Sequence, residues 1–162
     1  MTYFTSCPYI AEKVTLINGR RVVWNFRLHV YMYYEGHYVY GDLNNDGLKD
    51  AAVTIGESQA GGDDGILLAF LIHDGTKLVH RKSAYLGGSA LVNSLKIQDG
   101  KVLVDMFAHR DGDCMAGPTN HVKSLFDCRS EGKWLEGKQT SAQSLFDPIF
   151  YNFRYGRENF SG

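Results

Sequence analysis

The chain has 162 residues, which is the length of one domain and is enough to bury a sizeable core. Its formal net charge of -1 and isoelectric point near 6.6 give no electrostatic footprint for nucleic acid. The longest apolar run, Ile66 to Ile72, is too short to span a bilayer. With 13% aromatic residues, and 18 glycines against 3 prolines, the composition favours many short strands joined by tight turns.

The first strands are predicted around an Asn-Gly dipeptide. Asn18-Gly19 lies between two β-rich runs, Val14 to Ile17 and Arg20 to Trp24. Asn-Gly is the strongest short hairpin signal, because both central residues of the turn need positive φ. Phe26 to Tyr34 then alternates between two faces, which indicates a half-buried strand.

The middle of the chain predicts four more strands. Glu35-Gly36 is expected to turn the chain back into a strand over His37 to Tyr40. Ala51 to Ile55 is apolar enough for a central strand, and Gly65 to His73 is a continuous apolar run. Lys77 to Tyr85 is more polar and is predicted to lie at an edge.

A second hairpin signal, Asp99-Gly100, lies in the last third of the chain. It is followed by a long polar loop, His109 to Asn120. The strands predicted in this part are Leu91 to Gln98, Lys101 to Ala108, His121 to Cys128 and Lys133 to Glu136.

About ten short strands with almost no helical pattern indicate an all-β fold, a mainly antiparallel sandwich or open barrel. We expect one β domain over residues 1–162, with an N-terminal arm at 1–12 and a C-terminal tail at 137–162. The tail leaves two alternatives open. Thr140 to Phe146 fits a short helix, whereas Ile149 to Tyr155 alternates as an added edge strand would.

The motif with the most specific chemistry is a candidate calcium loop after the His37 to Tyr40 strand. Counted from Asp42 as position 1, its oxygen ligands fall at alternate positions: Asp42, Asn44, Asp46, the backbone carbonyl of Leu48, and Asp50. Gly47 stands at position 6, where a calcium loop turns sharply. Alternate side chains of a tight turn converge, and three carboxylates so close together repel each other without a cation.

Position 12 of this loop is Val53 rather than the bidentate Glu of an EF-hand, and the β-rich flanks predict a strand-loop-strand version. Water, Glu35 or the acidic turn at Gly61 to Gly65 are the candidates to complete the ligand set. The expected affinity is weak, roughly 10⁻⁴ to 10⁻³ M. The alternative is an Asx-rich turn that only links two strands, since Asp and Asn cap their own backbone.

The loop also carries a resemblance. Gly41 to Val53 resembles the D-x-N-x-D-G-x-x-D loops of FG-GAP-type repeats. Roughly residues 13 to 126 resemble small bacterial exported proteins and lipoproteins of unknown function. The motifs that carry this are the hairpin Val14 to Gly19, the loop itself, Gly61-Gly62, Leu86-Gly87 and the strand Val102 to Met106. The resemblance implies a calcium-type loop and a β fold, and it implies no known activity.

Two features depart from that pattern. Ala116-Gly117-Pro118-Thr119 stands where a Cys-Cys-Pro-Thr sequence is expected, and Met1 to Cys7 has neither the basic nor the hydrophobic region of a signal peptide. We therefore expect a cytoplasmic protein if Met1 is the native start, and a periplasmic or secreted one if a leader precedes it.

Cysteine and histidine suggest weaker alternatives. His109, Cys114, His121 and Cys128 are zinc-ligand types, but their spacing is not that of a zinc finger or ribbon. A Cys114–Cys128 disulfide fits an exported protein, whereas two free thiols fit a cytoplasmic one. Cys114 paired with His109 or His121 as a nucleophile rests on residue types alone. Three cysteines leave at least one unpaired within the chain.

Aromatic residues suggest a binding surface. A stripe of Tyr31, Tyr33, Tyr38 and Tyr40 could serve as a carbohydrate or peptide platform, or could instead cover the core or an interface with a second copy. A cluster of aromatic residues with Arg154 and Arg157 near the C-terminus lacks the basic groove of a single-strand nucleic-acid site.

The leading hypothesis is an uncharacterised non-catalytic β module, structural or ligand-binding, with calcium at residues 42–50. Its expected partner is a small ligand, another protein or a second copy of the chain, with no nucleic acid and no membrane span. No catalytic residue is predicted, because none of the common catalytic motifs occurs. The alternatives are a metal-assisted hydrolase that adds His37 or His109 to the same carboxylates, and a carbohydrate- or peptide-binding domain on the tyrosine face.

Overall fold

A computed structural model of the chain describes residues 2–4, 13–25, 28–59, 64–110 and 117–129. These residues form strands and connecting turns, without a helix. The ten strands are β1 (Thr2–Phe4), β2 (Lys13–Thr15), β3 (Arg20–Asn25), β4 (Leu28–Gly41), β5 (Asp50–Gln59), β6 (Gly65–His73), β7 (Leu78–Gly88), β8 (Leu91–Gln98), β9 (Lys101–Ala108) and β10 (Asn120–Phe126).

The strands form three antiparallel sheets. The largest has the order β3-β4-β5-β6-β7, the second has the order β10-β9-β8, and β1 pairs with β2 alone. All seven strand pairings are antiparallel. The prediction of an all-β, mainly antiparallel fold is thus confirmed, and the two larger sheets form a sandwich rather than a closed barrel. No described segment is a helix of the length and apolar character that a membrane crossing needs.

Both faces of the five-stranded sheet carry buried apolar side chains. One cluster joins this sheet to the three-stranded sheet and includes Leu68, Phe70, Val104 and Met106, while a second cluster on the opposite face includes Leu67 and Leu71 with residues of β2 and β4. We call these the first and second cores. The first seven residues of β6 are all buried, because successive side chains alternate between the two cores. This explains the unbroken apolar run in the sequence.

Two tight turns follow the predicted pattern. Asn18 and Gly19 both have positive φ, 52° and 76°, and Asp99 and Gly100 have 51° and 70°. These values are those of a type I′ turn. β8 and β9 have the bounds expected from the sequence, and β7 is the edge strand that its polarity predicts.

The first predicted hairpin is wrong beyond its turn. Ile17 and Arg20 form the one bridge that closes the Asn18-Gly19 turn, but β2 pairs with β1 rather than with β3. The physical reason is burial: Val14 and Leu16 are buried in the second core, against which Val23 of β3 also packs.

The turn predicted at Glu35-Gly36 is also wrong. β4 continues from Leu28 to Gly41, and its pairing with β5 shifts register between Tyr34 and Tyr38. Gly36 has a φ of 113°, a conformation that glycine adopts without strain. The dipeptide therefore forms a bulge in a long strand instead of reversing the chain.

Some predictions fall outside the described residues. They are the strand at Lys133 to Glu136, the helix or strand alternatives of the C-terminal tail, and most of the N-terminal arm. The strand predicted from His121 is present as β10.

Candidate functional site

The segment between β4 and β5, residues 42–49, lies where the two larger sheets meet. Leu43 is completely buried in the first core, so its side chain anchors the segment between the sheets. At the preceding residue, Gly41, a methyl group would come within 2.6 Å of Cδ1 of Ile97 on β8. A larger residue at this close approach of β4 to the three-stranded sheet would have to displace the end of the Ile97 side chain.

Asp42 caps the backbone of the loop. Its Oδ1 accepts hydrogen bonds from the N–H groups of Asn45 (2.6 Å) and Asp46 (3.2 Å), and its Oδ2 accepts one from Gly47 (2.9 Å). These bonds, with that from Gly47 the strongest, hold the pKa of Asp42 below its usual value, because they favour the ionised form. Gly47 has a φ of 80°, which allows the sharp turn at this point.

Asn44 and Asp46 are linked to each other. The Asn44 Nδ2 donates to Oδ2 of Asp46 at 2.7 Å, and the Asp46 N–H donates to Oδ1 of Asn44 at 3.1 Å. Oδ1 of Asp46 accepts from the N–H of Leu48 at 2.8 Å. The side chains of Asp42, Asn44 and Asp46 therefore bond to the loop itself, although Asp46 stays exposed to solvent.

Asp50 has a different structural role from Asp42, Asn44 and Asp46. It has no exposed surface, and its two oxygens accept backbone N–H groups from separate parts of the chain: Oδ2 from Leu43 and Oδ1 from His73, both at 2.8 Å. The carboxylate therefore ties the start of the loop to the end of β6. Neither the motif nor the spacing indicated this partner on β6, since the contact spans 23 residues.

The three-stranded sheet also contacts the loop. Gly100, in the turn between β8 and β9, would bring a methyl group to 3.1 Å from Oδ1 of Asn45. Cys128, just after β10, donates from its Sγ to the carbonyl oxygen of Leu43 at 3.2 Å. It is a free thiol, and burial raises its pKa. The loop thus contacts one end of the smaller sheet, where the β8–β9 turn and the end of β10 lie next to each other.

The residues fit calcium in kind, because Asp42, Asn44, Asp46 and the Leu48 carbonyl are hard oxygen donors within one loop. Each Asp50 oxygen accepts one backbone bond and so keeps a second lone pair. Among the described residues, however, no three His, Cys, Asp or Glu side chains form a group that could hold a metal ion. Asp50 is placed behind the loop by its backbone bonds, so calcium at this site stays a prediction.

The groups suggested to complete the ligand set have other contacts. Oε2 of Glu35 lies 3.4 Å from Nδ1 of His37 and accepts from the Thr54 hydroxyl at 3.4 Å. In the acidic turn, Asp64 is exposed, while residues 61–63 are outside the described part of the chain. His37, proposed for a hydrolase, is likewise directed toward Glu35.

The zinc and nucleophile candidates are not brought together where they are described. Nε2 of His121 lies 2.8 Å from Oδ1 of Asp105, and Cys128 contacts the loop instead. His109 is exposed, and Cys114 lies outside the described residues.

Sequence reasoning missed the group around Asp105 on the outer face of the three-stranded sheet. Besides His121, this carboxylate accepts a bond from Nδ2 of Asn93 at 2.9 Å and pairs with Lys123 at 3.2 Å. These contacts, with the Asn93 bond first, lower the pKa of Asp105. Only the strand register reveals the group, because its members come from three strands.

The predicted tyrosine stripe is divided between two faces. Tyr31 and Tyr33 pair with Ser58 and Gly56, whereas Tyr38 and Tyr40 pair with Val53 and Ala51. Ala51 contributes to the second core and its neighbour Ala52 to the first, so the bulge in β4 moves the later tyrosines to the opposite face. The prediction of one continuous stripe is wrong. The second pair packs edge to face at 5.6 Å, with Nζ of Lys49 5.4 Å from the Tyr40 ring centroid.

In comparisons with protein-family models, curated proteins and solved structures, nothing matches the chain. The resemblance to FG-GAP-type loops and to small exported bacterial proteins therefore stays a prediction from the motifs alone.

Proposed function

We propose that the protein is a non-catalytic β module, structural or ligand-binding, in which loop 42–50 joins the two larger sheets and is stabilised by calcium. The observation that supports this most directly is the placement of Leu43, whose side chain is buried in the core between the two sheets and whose carbonyl oxygen accepts a bond from Cys128 after β10. A cation held by the exposed side of the same loop would reduce the repulsion among its carboxylates.

The test is thermal unfolding in millimolar calcium and in chelator. A ligand that binds only the folded state raises the midpoint, and a site of weak affinity gives about 1.4 kcal/mol at ten times its dissociation constant. We expect a rise of a few degrees in calcium. The expected dissociation constant is roughly 10⁻⁴ to 10⁻³ M.

Two variants make this test specific. Asp46→Asn removes one charge from the exposed part of the loop and should abolish the calcium-dependent rise. Asp74→Asn is the matched control, because Asp74 also caps backbone N–H groups of a turn, but between β6 and β7. It should leave the rise unchanged. Superimposable curves with and without calcium for the unsubstituted chain would remove the cation from the proposal.

The metal-assisted hydrolase is the weaker candidate. It requires a histidine beside the loop carboxylates. Of the two named for it, His37 contacts Glu35, and His109 follows β9 at the end of the smaller sheet opposite the turn that contacts the loop. A binding function on the tyrosine surface has a specific observation in its favour, the open depression lined by Tyr31, Tyr33 and Tyr34.

A further inference from the structure

The end of the five-stranded sheet nearest the Asn18-Gly19 turn carries an open depression of about 330 Å³. This lies at the low end of the range typical of small-ligand sites. Its lining is contributed by the turn, by the start of β3 and by the middle of β4: Asn18, Gly19, Arg20, Tyr31, Tyr33 and Tyr34. The packing of the first and second cores leaves this depression open to solvent. Tyr31, one of its lining residues, is 37% exposed.

Two aromatic rings form its apolar part. The ring centroids of Tyr31 and Tyr33 are 5.4 Å apart, with an angle of 28° between the planes. The tip of the Tyr33 ring occupies the space above Gly56 on β5, where any larger residue would overlap its Cζ. Tyr33 is therefore held against the sheet before a ligand arrives, and Tyr31 stacks on it, so less side-chain entropy is lost on binding than with two free rings.

Polar groups of both signs surround the rings. Arg20 and Asn18 are exposed and offer hydrogen-bond donors, and Asn18 also offers an acceptor. On the acidic side, burial and then the negative charges of Asp64 and Glu35 raise the pKa of the Tyr33 phenol. The phenol therefore stays protonated and can both donate and accept. A charge-balanced surface of this kind favours a neutral ligand over a nucleic acid or a strongly charged peptide.

We infer that this depression binds a neutral pyranose oligosaccharide, with one sugar ring placed against the exposed ring of Tyr31, which stacks on Tyr33. A pyranose has an apolar C–H face that packs on an aromatic ring, and its hydroxyl groups donate and accept hydrogen bonds. The inference rests on the proposed function in one respect, that the module binds a ligand rather than transforms it.

The experiment is isothermal titration calorimetry of the full chain with three neutral probes: cellohexaose, hexa-N-acetylchitohexaose and maltohexaose. At least one should bind with a dissociation constant in the micromolar to millimolar range. Tyr31→Ala should weaken that binding tenfold or more. The matched control is Tyr38→Ala, because Tyr38 is 59% exposed but lies on the opposite face of the sheet; it should change the affinity less than twofold.

The substitution must not act through the fold, so the melting curve and near-ultraviolet circular dichroism of Tyr31→Ala are compared with those of the unsubstituted chain. If Tyr31→Ala does not fold, Arg20→Met replaces it, because Arg20 is an exposed residue of the same depression. Arg20→Met should also weaken binding at least threefold.

Three results would overturn the inference. The first is that none of the three probes binds at millimolar concentration. The second is that Tyr31→Ala and Tyr38→Ala weaken binding equally. The third is that sedimentation shows a dimer that Tyr31→Ala dissociates, which would make a second copy the occupant. The calcium melting experiment is read separately. Sugar binding with no response to calcium would reject only the loop proposal, and the reverse outcome would reject only the sugar site.

Discussion

Asp50 is the side chain on which the arrangement of the loop depends. A fully buried carboxylate is costly unless hydrogen bonds compensate its desolvation, and here both oxygens accept backbone N–H groups. The residue also stands at the ninth position of the calcium motif, where the sequence gives it a role as a ligand. The structure shows a role that does not require a metal.

This difference can be measured with Asp50→Asn in the presence of chelator. The amide offers one oxygen but places an N–H₂ group against the second backbone N–H, which leaves a buried donor without a partner. We expect the free energy of unfolding in urea to fall by about 2–4 kcal/mol. Asp46→Asn, at an exposed position of the same loop, should change it by less than about 0.5 kcal/mol. Equal, small effects would show that Asp50 acts only when a cation is bound.

Asp74 provides a prediction about pH. The hydroxyl of Thr76 and the N–H groups of Lys77 and Thr76 donate to its carboxylate and lower its pKa to about 2. Since the folded-state pKa lies below the unfolded value of about 3.9, this contribution to stability is complete above about pH 5 and is lost as the pH falls through about 2.

An NMR titration of the Asp74 carboxyl carbon checks this expectation. In the Thr76→Val variant, which removes the largest contribution, the pKa should move up toward the ordinary value of 3.8. A carboxyl that titrates at its ordinary value in the unsubstituted chain would contradict the geometry of this turn.

At the scale of elements, glycine and tyrosine on adjacent strands form a paired feature. Tyr33 on β4 is the direct partner of Gly56 on β5, and its ring covers the glycine. A similar contact occurs between Tyr85 on β7 and Gly65 on β6, where a methyl group would come within 2.9 Å of the ring. Each glycine thus supplies space that an aromatic side chain fills across the strands.

Gly56→Ala tests this pairing. The new methyl group would displace the Tyr33 ring, and overpacking of this kind costs about 1–3 kcal/mol of unfolding free energy. With Tyr33→Ala in the same chain the clash disappears, so Gly56→Ala should then be close to neutral. The double-mutant cycle in urea should give a coupling of about 1 kcal/mol or more. Additive effects would mean that the ring does not rest on Gly56.

The elements that follow from local chemistry were predictable. Asn18-Gly19 and Asp99-Gly100 require positive φ, and both turns are present, as are the strands on either side of the second. The pairing partner of β2 could not be predicted from local sequence, because its pairing with β1 is decided by burial of Val14 and Leu16 in the second core. Glu35-Gly36 was ambiguous for a different reason, because a glycine with positive φ fits a turn and a bulge equally well.

The candidate site divides in a similar way. The short-range contacts of Asp42, Asn44 and Asp46 follow from their spacing, since each bond spans five residues or fewer. The contacts of the loop with His73, Gly100 and Cys128 come from distant parts of the chain. They depend on how the sheets pack, and no local pattern encodes that. The division of the tyrosine stripe likewise depends on the bulge.

At the scale of the whole molecule, loop 42–50 is a joint between layers. Leu43 is buried between the two larger sheets, and Asp50 bonds to the end of β6. Cys128, which follows β10, bonds to the carbonyl oxygen of Leu43. Changes in the loop are therefore expected to affect the packing of both sheets, which is why global unfolding is the appropriate readout for calcium.

The five-stranded sheet separates the two cores, so that two residues adjacent in sequence pack against different sets of side chains. Leu67 belongs to the second core and Leu68 to the first, although one peptide bond joins them. Truncation of either leucine to alanine should cost about 2–5 kcal/mol. If the backbone of β6 insulates one cavity from the other, the two losses will add within about 0.5 kcal/mol in a partially stabilised background, as for distant sites. Two residues joined by a peptide bond would then contribute independently to the free energy of unfolding, and the interior of this small protein would consist of two energetically independent cores.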